Sequence, residues 1–111
     1  MEHPWIVEFA DDGVEAELRA MPKDIQARFL RISALLKLHG PFRVGMPYVR
    51  HVRDKLWEAR MKGRDGIARG FYVVVTGRRV VMVRFFAKKT AKAPVQEIEL
   101  ALQRARKVLD G

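Results

Sequence analysis

Between Leu56 and Ala87 the chain runs through three β-prone stretches separated by two short turns, which leaves it little topological choice. Residues 56–61 alternate, with Trp57, Ala59 and Met61 on one side and Glu58 and Arg60 on the other, and Gly63-Arg64-Asp65-Gly66 then makes a turn. Residues 67–75 are strongly β-prone, and Thr76-Gly77-Arg78 leads into a further strand over 80–87. A parallel crossover needs about a dozen residues, more than either connection holds, so an antiparallel meander is expected.

The flanking segments complete the pattern. Trp5-Ile6-Val7-Glu8-Phe9 reads as a first strand, and Asp11-Asp12-Gly13 opens a helix with Val14, Leu18 and Met21 on one face, broken at Pro22. Ile25, Phe29, Ile32, Leu36 and His39 recur at helical spacing until Gly40-Pro41 stops the second helix. Gly40, Pro41, Gly45 and Pro47 mark residues 40–55 as a surface loop. Pro94 starts a last helix whose stripe is Ile98, Ala101, Leu102, Ala105, Val108 and Leu109. The expected order is βααβββα: one α+β domain over residues 1–111, in which an N-terminal helical hairpin and a C-terminal helix pack on an antiparallel sheet. Phe29, Ile32, Leu36, Trp57, Ile98 and Leu102 are expected in its core.

With 49% hydrophobic residues the chain is globular in composition despite a net charge of +9. It has no cysteine, which excludes disulfides and thiolate metal sites, and His3, His39 and His51 have no metal-like spacing, so no metal or cofactor is expected. No apolar run approaches the roughly 18 residues of a membrane span and the first residues do not resemble a signal peptide, so a cytoplasmic protein without membrane contact is expected. The positive charge is confined. Residues 50–92 hold 13 Lys and Arg against 3 Asp and Glu, whereas residues 1–49 hold 6 against 7 and residues 93–111 hold 3 against 3. Cations concentrated on strands form a surface, and such a surface suits a polyanion, RNA first.

Alternation puts Arg69 with Ile67, Phe71, Val73 and Val75, and Arg84 with Met82, Phe86 and Lys88. If these share the face of Glu58 and Arg60, the sheet is a basic platform with rings among the charges. Arg60 and Arg69 sit in otherwise apolar strands, where a cation is costly unless partnered or aimed into a site. For the others two readings stand. Arg84 is a salt-bridge partner or an RNA contact, Phe71 and Phe86 are core or stacking rings, and His51 is a bystander or an acid–base group. The run Lys88-Lys89-Thr90-Ala91-Lys92 is an RNA path or a hydrated connection. Arg64, Arg84, Phe86, Lys92 and His51 form the candidate RNA-contacting set.

Leu56-Trp57-Glu58-Ala59-Arg60, then Gly63-Arg64-Asp65-Gly66-Ile67-Ala68-Arg69-Gly70-Phe71-Tyr72, then Phe85-Phe86-Ala87-Lys88-Lys89-Thr90-Ala91-Lys92-Ala93-Pro94, with Glu97-Ile98-Glu99 and Ala101 behind, resemble the phage-derived HigB-like branch of the RelE/ParE toxin superfamily. The resemblance implies the toxin of a toxin–antitoxin module, an endoribonuclease that cleaves mRNA on the ribosome without metal. Its implied partner is a cognate antitoxin, a small helix-turn-helix protein, in a complex that can be of higher order. By the same resemblance the catalytic positions are Glu58, Arg60, Arg69, Lys88 and Lys89. Arg60 and Arg69 would clamp phosphate, and Lys88, Lys89 or Glu58 would carry protons. Some relatives place a tyrosine or histidine near the C-terminus, whereas this chain has no Tyr, His or Trp after Lys92. The alternatives within the superfamily are a ParE-type gyrase inhibitor, which acts by binding, and an inactive RNA- or antitoxin-binding module.

Overall fold

The computed structural model describes residues 4–88 and 93–110. Strand β1 (Ile6–Phe9) leads into helices α1 (Asp12–Arg19), α2 (Lys23–His39) and the single turn α3 (Pro41–Val44). Strands β2 (Val49–Arg53), β3 (Leu56–Gly63), β4 (Gly66–Val75) and β5 (Arg79–Lys88) follow, then helix α4 (Val95–Asp110). The Asp11 carboxylate caps α1 by accepting the Val14 N–H at 3.0 Å. Gly40, at φ 84°, ends α2 in a backbone conformation that side chains resist.

The strands form one mixed sheet in the order β1-β5-β4-β3-β2. The predicted meander is present as β3-β4-β5, antiparallel throughout. Two features go beyond the expected pattern. Part of the supposed loop is a strand: β2 pairs antiparallel with β3, and Val49 is fully buried opposite Ala59. Strand β2 is short, and Arg50, His51 and Arg53 dilute its apolar signal. The other is that β1 runs parallel to β5, so the sheet is not purely antiparallel. The long way round makes this possible, because α1 lies over β5 and α2 over β3, carrying the chain across one face to the far edge.

Both faces of the sheet are covered. Beneath α1 and α2, Val14, Leu18, Ile25, Phe29, Ile32 and Leu36 pack on Ala59, Met61, Tyr72, Met82 and Phe85. Phe29 and Phe85 meet edge-on with centroids 5.1 Å apart, and truncating a buried phenylalanine of this kind costs about 3–5 kcal/mol. On the opposite face α4 places Ala101 and Ala105, with Ile98 and Leu102 partly buried beside them, against Leu56, Phe71, Val73, Val81, Val83 and Phe86. The expected core residues are thus in contact, with Trp57 partly buried at the α2 side. Strict alternation fails at one point. Phe71 pairs with Arg84 but Tyr72 pairs with Met82, so Val83 is an extra residue in β5. Met82 therefore joins the α2 face, away from Arg84 and Phe86, with which alternation had grouped it.

The hairpin joining β3 to β4 docks on the start of α2. A Cβ on Gly63 would lie 2.5 Å from Ile25 Cδ1 and 2.8 Å from Asp24 Oδ2, so a larger residue here must push those side chains aside. The Arg64 N–H donates to Asp24 Oδ2 at 2.6 Å, and that bond holds the Asp24 carboxyl below the usual carboxylate range. No helix among the described residues is long and apolar enough to cross a membrane.

Candidate nucleic-acid interface

Register decides which cations meet. Arg60 lies opposite Arg69 and Arg69 opposite Phe86, while Glu58 lies opposite Phe71 and Phe71 opposite Arg84. Ile67 stands between Lys62 on one side and Lys88 on the other. The shared face inferred from alternation is real, but α4 covers part of it.

Under α4 the candidates become structural. The Phe86 ring is 5% exposed and 5.1 Å from that of Phe71, so it is core and not a stacking platform. Arg84 donates to both oxygens of Glu97, at 2.8 and 3.0 Å, and to Glu17 at 2.7 Å. These bonds hold its pKa above the usual arginine value, the Glu97 pair contributing most, and they leave it no spare fork for phosphate. Glu17 also accepts the Phe85 N–H at 3.1 Å and bonds Arg104 at 2.9 Å, and Arg104 reaches the Val83 carbonyl at 2.9 Å.

Between β2, β3 and β4 lies a buried ion pair. Glu58 is fully buried, and one of its oxygens accepts from Arg69 Nη1 at 2.9 Å while the other is held by Arg50 Nε. Arg69 is itself 2% exposed. A carboxylate engaged at both oxygens orients its guanidinium partners. Arg50 remains partly exposed above the pair.

Toward the β3–β4 turn the face opens into a cleft of about 430 Å³ lined by Arg28, Pro47, Tyr48, Arg60, Lys62 and Ile67. Among the described residues three cations and a phenol line it, with no carboxylate. The Arg60 backbone N–H donates to the Tyr48 carbonyl at 2.8 Å, which draws the segment before β2 against β3. Arg60 Nε is buried and has no hydrogen-bond partner among the described residues. A buried donor in that state is costly, and an anion entering the cleft would satisfy it. Lys88 occupies the register position opposite Ile67, itself a lining residue.

The sequence candidates thus separate. Arg60 lines the cleft, Arg69 and Glu58 lie beneath the surface, and Lys88 is at the adjoining strand position. Arg64 is exposed at the hairpin turn. His51 is exposed on β2, 5.3 Å from the Trp57 ring, and is not part of the cleft lining. Lys89 and Lys92 lie outside the described residues. Sequence reading missed Arg28, Tyr48 and Lys62. Lys62 was within reach, two residues beyond Arg60 on the same strand face, but no local spacing links Arg28 or Tyr48 to that face.

Chemically the cleft can bind a phosphodiester. Guanidinium and ammonium groups oppose the charge of a phosphorane, and a phenol can exchange a proton. Among the described residues no group of three His, Cys, Asp or Glu is placed to hold a metal ion.

Comparison with known proteins adds the lineage. The fold is similar to that of a double arginine-to-alanine mutant of the E. coli toxin RelE in the free state, with a TM-score of 0.59 and 16% identity over 91% of this chain and 97% of that one. It is also similar to a chain of the archaeal RelE–RelB complex from Pyrococcus horikoshii, with a TM-score of 0.55 and 20% identity over 79% and 99%. No curated protein sequence matches significantly. The model of the family "Phage derived protein Gp49-like" matches residues 16–106, from α1 through most of α4, and the chain belongs to that family.

Proposed function

We propose that this chain is the toxin of a toxin–antitoxin pair, of the HigB-like kind, and that it cleaves mRNA on cytoplasmic ribosomes at the Arg60 cleft. The observation that supports this reading most is a lining with no carboxylate among the described residues, in which the buried Arg60 Nε has no hydrogen-bond partner among them, beside Arg28, Lys62 and Tyr48. In the proposed reaction the RNA 2′-oxygen attacks the adjacent phosphorus and the bond from phosphorus to the 5′-oxygen breaks, leaving a 2′,3′-cyclic phosphate and a 5′-hydroxyl. Arg60, Lys62 and Arg28 balance the charge that accumulates on phosphorus. Tyr48 protonates the departing 5′-oxygen, and Lys88, whose strand position is opposite Ile67, is assigned the 2′-hydroxyl proton. Arg69 and Glu58 fix the strands beneath. The RelE fold, seen elsewhere in a RelE–RelB complex, supports an antitoxin as the natural partner.

Inducible expression followed by mapping of mRNA 5′ ends tests the reading. New ends within translated codons, absent in an Arg60→Ala/Lys62→Ala variant, are expected. Growth arrest that persists unchanged in that variant, without new ends, would point to a gyrase-type inhibitor.

A further inference from the structure

Away from the cleft, four rings form an unbroken chain in which Phe42 and His51 are exposed and Trp5 and Trp57 are partly buried against the core. Trp5 meets Phe42 at 6.2 Å between centroids, Phe42 meets Trp57 at 6.1 Å, and Trp57 meets His51 at 5.3 Å, each pair edge to face. The Arg78 guanidinium lies 5.9 Å from the Trp5 ring centre. None of these residues lines the cleft. Phe42 stands on the single turn α3 and is 67% exposed, with Leu38 and Met46 also exposed in the same part of the chain. Rings left open in this way mark a contact surface.

The surrounding charge selects the occupant. From Lys37 to Arg53 the chain carries Lys37, Arg43, Arg50 and Arg53, of which Arg50 is bonded to Glu58, and not one Asp or Glu. Rings interleaved with cations complement unpaired nucleotides, whose bases stack on π-faces while their phosphates meet the guanidinium groups. We infer that the Trp5–Phe42–Trp57–His51 belt is a second RNA contact that holds unpaired bases of a strand extending beyond the cleft. The inference rests on the proposed function only in choosing RNA. Trp57 precedes Arg60 by three residues on β3, about 10 Å along the strand and on the opposite face, so such an RNA passes around the β2 edge beside Tyr48 and Arg50.

Both tryptophans of the chain lie in the belt, so their emission reports on it directly. The purified full chain is titrated with a 2′-O-methyl RNA strand of about ten nucleotides, which cannot undergo 2′-attack, and with an abasic strand of equal length. The base-bearing strand is expected to quench tryptophan emission and to bind about tenfold more tightly than the abasic one. Phe42→Ala should abolish most of that difference and Phe42→Trp should restore it, with a thermal melt confirming that each variant is folded. If Phe42→Ala unfolds, Arg43→Glu serves in its place and should weaken binding of the base-bearing strand. Equal affinities with unchanged emission overturn the inference, and so does quenching by a protein partner where RNA gives none. A chain that cleaves mRNA without the tryptophan response refutes the belt alone, and one that shows the response without cleavage refutes the nuclease reading alone.

Discussion

Arg60 and Arg69 face each other directly across β3 and β4, yet they occupy opposite electrostatic situations: Arg69 is 2% exposed and bonded to Glu58, whereas Arg60 opens on the cleft with its Nε unpartnered among the described residues. Two like charges paired across strands repel, and the buried carboxylate of Glu58 offsets that repulsion from below. The two arginines should therefore respond differently to substitution.

Arg69→Ala leaves Glu58 buried with one guanidinium partner fewer, and breaking such a pair costs about 3–5 kcal/mol. Urea denaturation should show this loss of stability, with any loss of activity following the loss of folded protein. A full-strength denaturation midpoint would show that Arg69 is not structural.

Arg60→Ala and Lys62→Ala should leave the urea midpoint nearly unchanged while slowing RNA cleavage. By analogy with removal of one oxyanion donor, each should cost about 2.7–4 kcal/mol of transition-state stabilisation. Single-turnover cleavage on programmed ribosomes measures this, and cleavage at the wild-type rate by either variant would remove that residue from the site.

Tyr48→Phe keeps the ring and removes the proton, so cleavage should slow by about 10²–10⁴-fold. A substrate with sulfur in place of the departing 5′-oxygen needs no protonation and should be cleaved equally well by the variant and the wild type. If the variant is as slow on the sulfur substrate as on ordinary RNA, Tyr48 is not the acid.

Acid should loosen the β3–β4 hairpin from α2. The Asp24 pKa is depressed in the fold below the ordinary aspartate value of 3.8, chiefly by the Arg64 N–H. The stabilisation is therefore fully present above that ordinary value and lost as pH falls through the lower folded value. Asp24→Asn should flatten this part of the acid limb in a series of thermal melts, and an unchanged acid limb would show that the Asp24–Arg64 bond contributes nothing.

How much of this was legible in the sequence depends on the range of the interaction. The meander, the helical hairpin and the common face of Glu58, Arg60, Arg69 and Lys88 follow from periodicity and short turns, which are local. Strand β2 escaped because five residues with two arginines and a histidine carry almost no alternating apolar signal. Met82 was assigned to the wrong face because the extra residue Val83 resets the alternation, and nothing in Val80-Val81-Met82-Val83 marks which residue bulges. Arg28 and Tyr48 reach the cleft from a helix and a loop, and only tertiary packing brings them to β3. Arg84 and Phe86 were placed on the correct strand face, but α4 covers that face.

The position of Glu17 bears on how this sheet avoids its own kind. Strand β1 ends opposite Met82, leaving the Phe85 N–H and the Val83 carbonyl beyond its reach. Glu17 accepts the first and Arg104 donates to the second, so two side chains stand in for the missing end of a strand. An invading β-segment must displace both, together with the ion pairs they make, before it can pair there. Because Arg104 belongs to α4, lifting that helix would uncover a raw sheet edge, and protection against strand exchange is therefore tied to how firmly the last helix is seated.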